Sequence, residues 1–411
     1  MATKIIFHPV GNGDMTLISL GDSAGTNILV DCNIRAAADD PEDSTRDVAA
    51  DLRRCLKTDK KGRPYVDVFL STHPDEDHLR GLKKHFYLGA PADYGDDEKP
   101  AGEKRIVIKE VWSSPIVFRR ASKDHKLCDD ALAFNIEAKR RVEFARDQKF
   151  TGIGDGDRIL VLGEDEDGKT DDLTSILVKV DETFDKVNGA QNSLFKARLL
   201  APLPAADEDE ADAMGKNHSS VILNMELADG AARETVRNFL TGGDAEVLIW
   251  EKLWEKYQNE LDVLAYDILL SPHHCSWHSL SYDSRSEKGD DAKVCEAAKS
   301  ALSQIRAGGQ IIASSCAIKD DDCDPPSLAA KQEYELIVKR GKGAFLCVGE
   351  LPTEADPAPL EFVIGDGSLS RVVQKAALPR RSVVTSGIVN AANSNAARNE
   401  AVQKGGNTRY A

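Results

Sequence analysis

No run in this 411-residue chain approaches the ~18 to 20 consecutive apolar residues of a membrane-spanning helix. A membrane protein is therefore not expected. The N-terminus, from Met1 to Phe7, enters strand-like sequence at once, which predicts an unexported, cytoplasmic protein. The eight cysteines (32, 55, 128, 275, 295, 316, 323 and 347) form no Cys-x-x-Cys pair and no tight framework. That excludes a disulfide scaffold and fits free thiols in a reducing cytosol. Positive charge is also short: 53 Lys and Arg face 69 Asp and Glu, for a net charge of -16 and a pI near 5.1. A surface that binds nucleic acid or anionic membrane over its whole extent is thereby excluded, and any polyanion has to be gripped locally. No internal repeat is visible.

What is present is concentrated in one stretch, residues 68–81. An apolar run, Val68, Phe69 and Leu70, reads as a buried strand and empties into a loop that carries His73, Asp75, Asp77 and His78. So many ionisable groups packed together repel one another and resist desolvation unless a cation neutralises them. A metal site is the first reading, against an acidic surface loop that happens to hold two histidines. Six of the nine histidines (73, 78, 218, 273, 274 and 278) fall at strand ends or beside them, whereas chance would scatter them.

The length accommodates two average domains or one elaborated domain. The opening reads as a strand meander: Ile5 to Leu20 with a turn at Gly11 and Gly13, then Asn27 to Asp31. Asp14 and Asp31 are read as loop braces. An amphipathic helix is expected from Ser44 to Lys57, ahead of a core strand over 66–71. Ile106 to Trp112 reads as a strand and Asp124 to Gln148 as one long helix through Leu127, Leu132, Ile136, Ala138 and Phe144. Further strands are expected at Arg158–Leu162, Phe195–Ala201, Val221–Glu226, Phe239–Thr241, Asp267–Ser271, Ile311–Ser315 and Ala344–Val348, with a helix over 326–339. Residues 83–150 form an elaboration beside the site. Residues 1–365 are expected to make up one elaborated domain, and 366–411, poor in large apolar residues, a C-terminal extension or flexible arm for a protein partner.

The loop from His73 to His78 resembles the signature His-x-His-x-Asp-His of the metallo-β-lactamase fold, with Asp75 where the second His usually stands. The departure resembles the hydrolase domain of ComEC-type competence proteins, as do the Gly-Asn-Gly-Asp turn at 11–14, Asn217 with Ser220, the Thr-Gly-Gly-Asp segment at 241–244 and the His-His-Cys-Ser segment at 273–276. Here Cys275 replaces a Gly, and the Tyr-x-His-Pro segment of that family is represented by Cys323 to Pro326, without a histidine. The resemblance implies an α/β, four-layer αββα sandwich with an inserted helical region. It implies two divalent metal ions, Mn or Zn: His73 and Asp75 on the first, Asp77, His78 and His274 on the second, and Asp244 bridging. His273 is the alternative to His274. Either Asn217 or His218 completes the first ion, with His218 the better donor. Asp75, Asp77 and Asp244 would carry the chemistry. His273, His278 and Lys319 are candidates for gripping substrate.

Two metals with a bridging hydroxide suit an in-line displacement at phosphorus. The leading expectation is a metal-dependent phosphodiester hydrolase, a nuclease with nucleic acid as substrate. The alternatives are a metallo-hydrolase of a small ester, lactone or phosphocholine-type substrate, and a non-catalytic partner subunit that retains the fold. A basic track built from Lys83, Lys84, Arg119, Arg120, Lys139, Arg140 and Arg141 would favour nucleic acid; otherwise these are solvated helix charges.

Overall fold

The computed structural model describes residues 2–372 except 41, 125, 166–167, 206–209, 211–213, 231–232 and 366, together with the backbone alone at 121–124. Its principal strands, in chain order, are β1 (Thr3–Phe7), β2 (Thr16–Ser19), β3 (Asn27–Val30), β4 (Pro64–Leu70), β5 (Ile106–Ser113), β6 (Arg158–Leu162) and β7 (Phe195–Ala201). They continue as β8 (Ile222–Ala228), β9 (Val236–Leu240), β10 (Tyr266–Leu270), β11 (Ile305–Ala313), β12 (Ala344–Cys347), β13 (Leu360–Gly365) and β14 (Ser368–Val372). The main helices are α1 (Val48–Cys55), α2 (Pro115–Asp124), α3 (Asp129–Asp147), α4 (Val247–Tyr257), α5 (Glu296–Leu302) and α6 (Leu328–Gly341).

These strands form two sheets. The first, of 11 strands, runs β14-β13-β1-β2-β3-β4-β5-β6 with short strands at its margins, and the second, of seven, runs from the short strand Thr183–Phe184 through β7 to β12 in sequence order. The apolar pattern of the strands dictates their stacking. Val68 and Leu70 of β4 join Ile5, Trp112, Leu223, Phe239 and Ile268 in a layer built from both sheets. Phe69, between them, points the other way to α1 and α3 through Leu52 and Phe134. The far face of the second sheet packs Leu269 and Ile311 against Trp250 of α4, Ala301 of α5 and Tyr334 of α6. Helices thus cover both outer faces, and the order of layers is α, β, β, α, as expected. Each fully buried Leu, Ile, Val or Phe contributes roughly 1.5 to 3 kcal/mol, and three such layers outweigh the several kcal/mol that each desolvated charge of a buried polar site costs.

Three boundaries differ from expectation. The helix expected over 44–57 begins only at Val48, where the Asp47 carboxylate accepts from the Ala50 amide at 2.8 Å. The helix expected over 124–148 is α3, which opens only after Cys128, and a helix that was not expected, α2, precedes it from Pro115, a residue suited to a first helical turn. The buried stripe of α3 carries Ala131, Phe134, Glu137, Arg141 and Ala145, whereas Leu132 and Ile136 are exposed. The reason is that Arg141 is needed inside, where it bonds Glu137 and three backbone carbonyls. Finally, the extension expected from residue 366 begins too early: β14 pairs antiparallel with β13 from Gly365–Ser368 to Glu361–Val372 and edges the first sheet. Contacts group Met1–Gln374 as one compact unit, and the expected arm at 373–411 lies outside the described residues.

Candidate metal centre

In both sheets the parallel strands end on the same kind of loop. β3, β4 and β5 are mutually parallel, as are β9, β10, β11 and β12. Asp31 follows β3, His73 to His78 follow β4, Asp244 follows β9, and His273 and His274 follow β10. Ligand sites of open α/β sheets form at such carboxyl ends.

Four of the expected ligands converge. His78 Nε2 lies 3.0 Å and His274 Nε2 3.4 Å from Asp244 Oδ1, and His274 Nε2 is 3.3 Å from Asp77 Oδ2. The two Nε2 atoms are themselves 3.1 Å apart. On its other oxygen, Asp244 Oδ2 is 3.3 Å from His73 Nε2, which is 3.8 Å from Asp75 Oδ2. Asp244 therefore stands between two groups of candidate ligands. All of His73, His78, Asp244 and His274 are buried.

The Nδ1 edges show how the imidazoles are oriented. His78 Nδ1 is 2.8 Å from Asp31 Oδ2, and Asp31 also accepts from the Thr72 amide at 2.8 Å and the Thr72 hydroxyl at 2.5 Å. His274 Nδ1 faces Asp14 Oδ1 at 3.6 Å. At His78 the bonded carboxylate places the proton on Nδ1 and leaves Nε2 as a lone pair, whereas Asp14 lies beyond hydrogen-bond distance of His274 Nδ1. Two Nε2 atoms 3.1 Å apart against a buried carboxylate form a donor set that suits a cation. Consistently, Asp244 Oδ1 and His73 Nε2 are buried without a hydrogen-bond partner, although each has a close neighbour. Asp14 is near enough to His78 and His274 to be counted with them, but it faces their Nδ1 edges and so orients rather than ligates.

Charge follows the same geometry. Burial would lower the His274 pKa, but Asp244, Asp14 and Asp77 outweigh it and push it up to about 10. His78 behaves alike, burial being outweighed by Asp244 and Asp31. Burial would raise Asp77 and Asp244, yet the imidazoles beside them hold both below the usual carboxylate range. The pocket thus attracts positive charge, and a proton competes for the place that suits a metal ion.

Local backbone explains why these residues and no others meet. His273, His274 and Cys275 have φ of 50°, 54° and 73°. This left-handed run sends successive imidazoles to different sides of Asp244, with His273 Nε2 3.6 Å from Asp244 Oδ2. It costs of order 1 to 3 kcal/mol per residue. It also shows why a glycine suits position 275. Gly13, at φ 140°, lets the turn at 11–14 close on the ligand loop: a Cβ there would lie 2.6 Å from the Asp77 carbonyl.

Several expected site residues are elsewhere. His218 sits on a short turn, Asn217–Ser219, with Nε2 3.6 Å from Glu246, and Asn217 donates to the same Glu246 at 2.8 Å. Neither completes the first group; His273 is the imidazole beside it. His278 lines a separate cavity of about 570 Å³ with Asp290, Asp321 and Asp322, and the exposed Lys319 pairs with Glu354. The basic track is mostly spent on structure. Lys83 pairs with Asp129, Lys84 with Asp39, Arg119 with Asp165, Arg140 with Glu137 and Asp157, and Arg141 with Glu137. Arg120 is buried and bonds Ser219 and the Leu203 carbonyl. Lys216, which no motif marked, reaches Asp75 directly, its amine raised by Asp75 against the opposing effect of burial.

No protein-family model and no curated protein matches the chain. Among solved structures it is similar to an isothiocyanate hydrolase from Delia radicum gut bacteria, at 11% identity and a TM-score of 0.36 over 84% of this chain and 95% of that one. It is also similar to the metallo-β-lactamase MIM-1 from Novosphingobium pentaromativorans, at 13% identity and a TM-score of 0.27 over 73% of this chain and 86% of that one. Likenesses this distant carry nothing about activity. On its own layer order and strand-end cluster, the chain has a four-layer αββα fold with a candidate His/Asp metal centre between its sheets.

Proposed function

We propose that this protein is a metal-dependent hydrolase of phosphodiesters, acting on a substrate short or flexible enough to be held at the centre itself. The observation that carries the metal is the meeting of two buried Nε2 atoms 3.1 Å apart on a buried carboxylate. Asp77, His78, Asp244 and His274 would hold one ion, and His73, Asp75 and Asp244 are the residues available to another. Their mixed nitrogen and oxygen donors suit Mn²⁺ or Zn²⁺. A bound ion supplies Lewis acidity and makes water a usable nucleophile at neutral pH.

The chain's own residues do the rest. Asp31 and Asp14 fix the imidazole planes, and Asp244 holds the two sides of the centre in register. Lys216 offers a donor to an anionic phosphoryl oxygen. His273, whose side chain is 18% exposed, is the imidazole nearest solvent and is placed to give a proton to the leaving alkoxide. The competence-like motifs favour phosphorus over a carbonyl centre, while the pairing of the cations over 83–150 disfavours a duplex laid along that region.

The test is turnover of bis(p-nitrophenyl) phosphate, single- and double-stranded oligonucleotides, and a simple lactone by protein reconstituted with Mn²⁺ or Zn²⁺. Phosphodiester cleavage that disappears in Asp244→Asn is expected. Lactone opening without phosphodiester cleavage would replace this reading with the small-ester one.

A further inference from the structure

The two groups around Asp244 are not equivalent. Around Oδ1 the donors are Asp77, His78 and His274, and among the described residues no Lys or Arg side chain bonds to any of them. Around Oδ2 the group is His73 and Asp75, and there the Lys216 ammonium bonds the Asp75 oxygen that faces His73. Neither residue expected to complete this position joins the group of His73, Asp75 and Asp244: His218 Nε2 lies 3.6 Å from Glu246, and the Asn217 side-chain amide donates to the same carboxylate. A carboxylate already neutralised by an ammonium is a poor ligand for a divalent ion, and a second cation placed beside that ammonium is repelled. Lys216 is not a loose surface group: its side chain is 27% exposed, and Asp75, its partner, is 15% exposed.

We propose that Lys216 is a built-in cation that stands in for one of two metal ions, so that the centre has a single tight metal site at Asp77, His78, Asp244 and His274. The inference rests on the metal-dependent reading above and refines it. Asp75 then serves to hold Lys216 rather than to ligate. The lysine retains further N–H donors after bonding Asp75, so it can still meet an anionic oxygen of a substrate. Its role resembles that of a metal in charge, without the power to activate water.

The experiment measures bound metal, not activity. The full chain, and its Lys216→Ala and Lys216→Met variants, are loaded with Zn²⁺ or Mn²⁺, freed of excess by gel filtration and analysed for metal, with circular dichroism as the check on folding. About one ion per chain is expected in the unmodified protein and about two in the variants. Asp75→Asn should leave the unmodified count at one. The spin spectrum of the Mn²⁺-loaded unmodified protein, which needs no variant, should be that of an isolated ion. Two tightly held ions in the unmodified protein, a magnetically coupled Mn²⁺ pair, or a count still at one in both folded Lys216 variants would each overturn the inference while leaving the metal reading intact. No bound ion in any of these proteins would overturn the metal reading itself.

Discussion

His8 offers a direct test of how burial sets the chemistry of this molecule. It follows β1, is 1% exposed, and neither ring nitrogen has a hydrogen-bond partner. Burial, and after it the charges of Arg46 and Arg54, pull its pKa from the ordinary 6.5 down to about 3. The folded state therefore holds the ring neutral where the unfolded chain would protonate it. With the folded value below the unfolded one, the unfolded state binds the extra proton. Stability is full above pH 6.5 and falls as the pH drops from 6.5 towards 3. One pKa unit is about 1.4 kcal/mol, so the loss at pH 5 is about 2 kcal/mol. Leucine fills a similar volume and has no nitrogen to protonate. Guanidinium unfolding of the parent and of His8→Leu at pH 7 and pH 5 should show the parent losing about 2 kcal/mol more than the variant between the two conditions. The variant should be at least as stable at pH 7, since two unpaired buried polar atoms are gone. Equal losses in parent and variant would mean that His8 is hydrated or paired in solution, and the argument from burial would fail.

Asp31→Asn removes the carboxylate hydrogen-bonded to His78 Nδ1, and metal affinity measured by competition with a chelator should fall by about 10- to 100-fold with the melting temperature of the metal-free protein little changed. An unaltered affinity would show that Asp31 does not orient that imidazole. Arg141→Ala leaves Glu137 to Arg140 alone and takes the buried donor from three backbone carbonyls, and should destabilise the protein by about 2 to 3 kcal/mol in urea unfolding; a loss below ~1 kcal/mol, the range of surface pairs, would return Arg141 to the list of free cations. Removal of residues 378–411 should leave the unfolding midpoint unchanged, because that segment has too little apolar surface to add to a core. An insoluble product would contradict it.

The candidate ligands, their order and the strand that precedes each were legible because histidines and carboxylates grouped at strand ends are few in the chain. His73, Asp77, His78, Asp244 and His274 follow β4, β9 and β10 as read, and the alternation of Val68, Phe69 and Leu70 determined that their strand is buried on both faces. Strand existence was equally plain, since a period of two shows within a few residues. Three matters were decided only by tertiary contact. His273 rather than His218 stands by the first group, because a left-handed backbone run at 273–275 and the pull of Glu246 act across the fold. Glu137 and Arg141, polar in sequence, face inward on α3, because each supplies the partner that makes the other's burial tolerable. Lys216 carries no motif at all; it meets Asp75 only when two loops 141 positions apart close on one another. A side chain's identity sets which bonds it can make, and that much is local. Which bond it does make depends on what the rest of the chain brings within reach, and a linear pattern holds no distance.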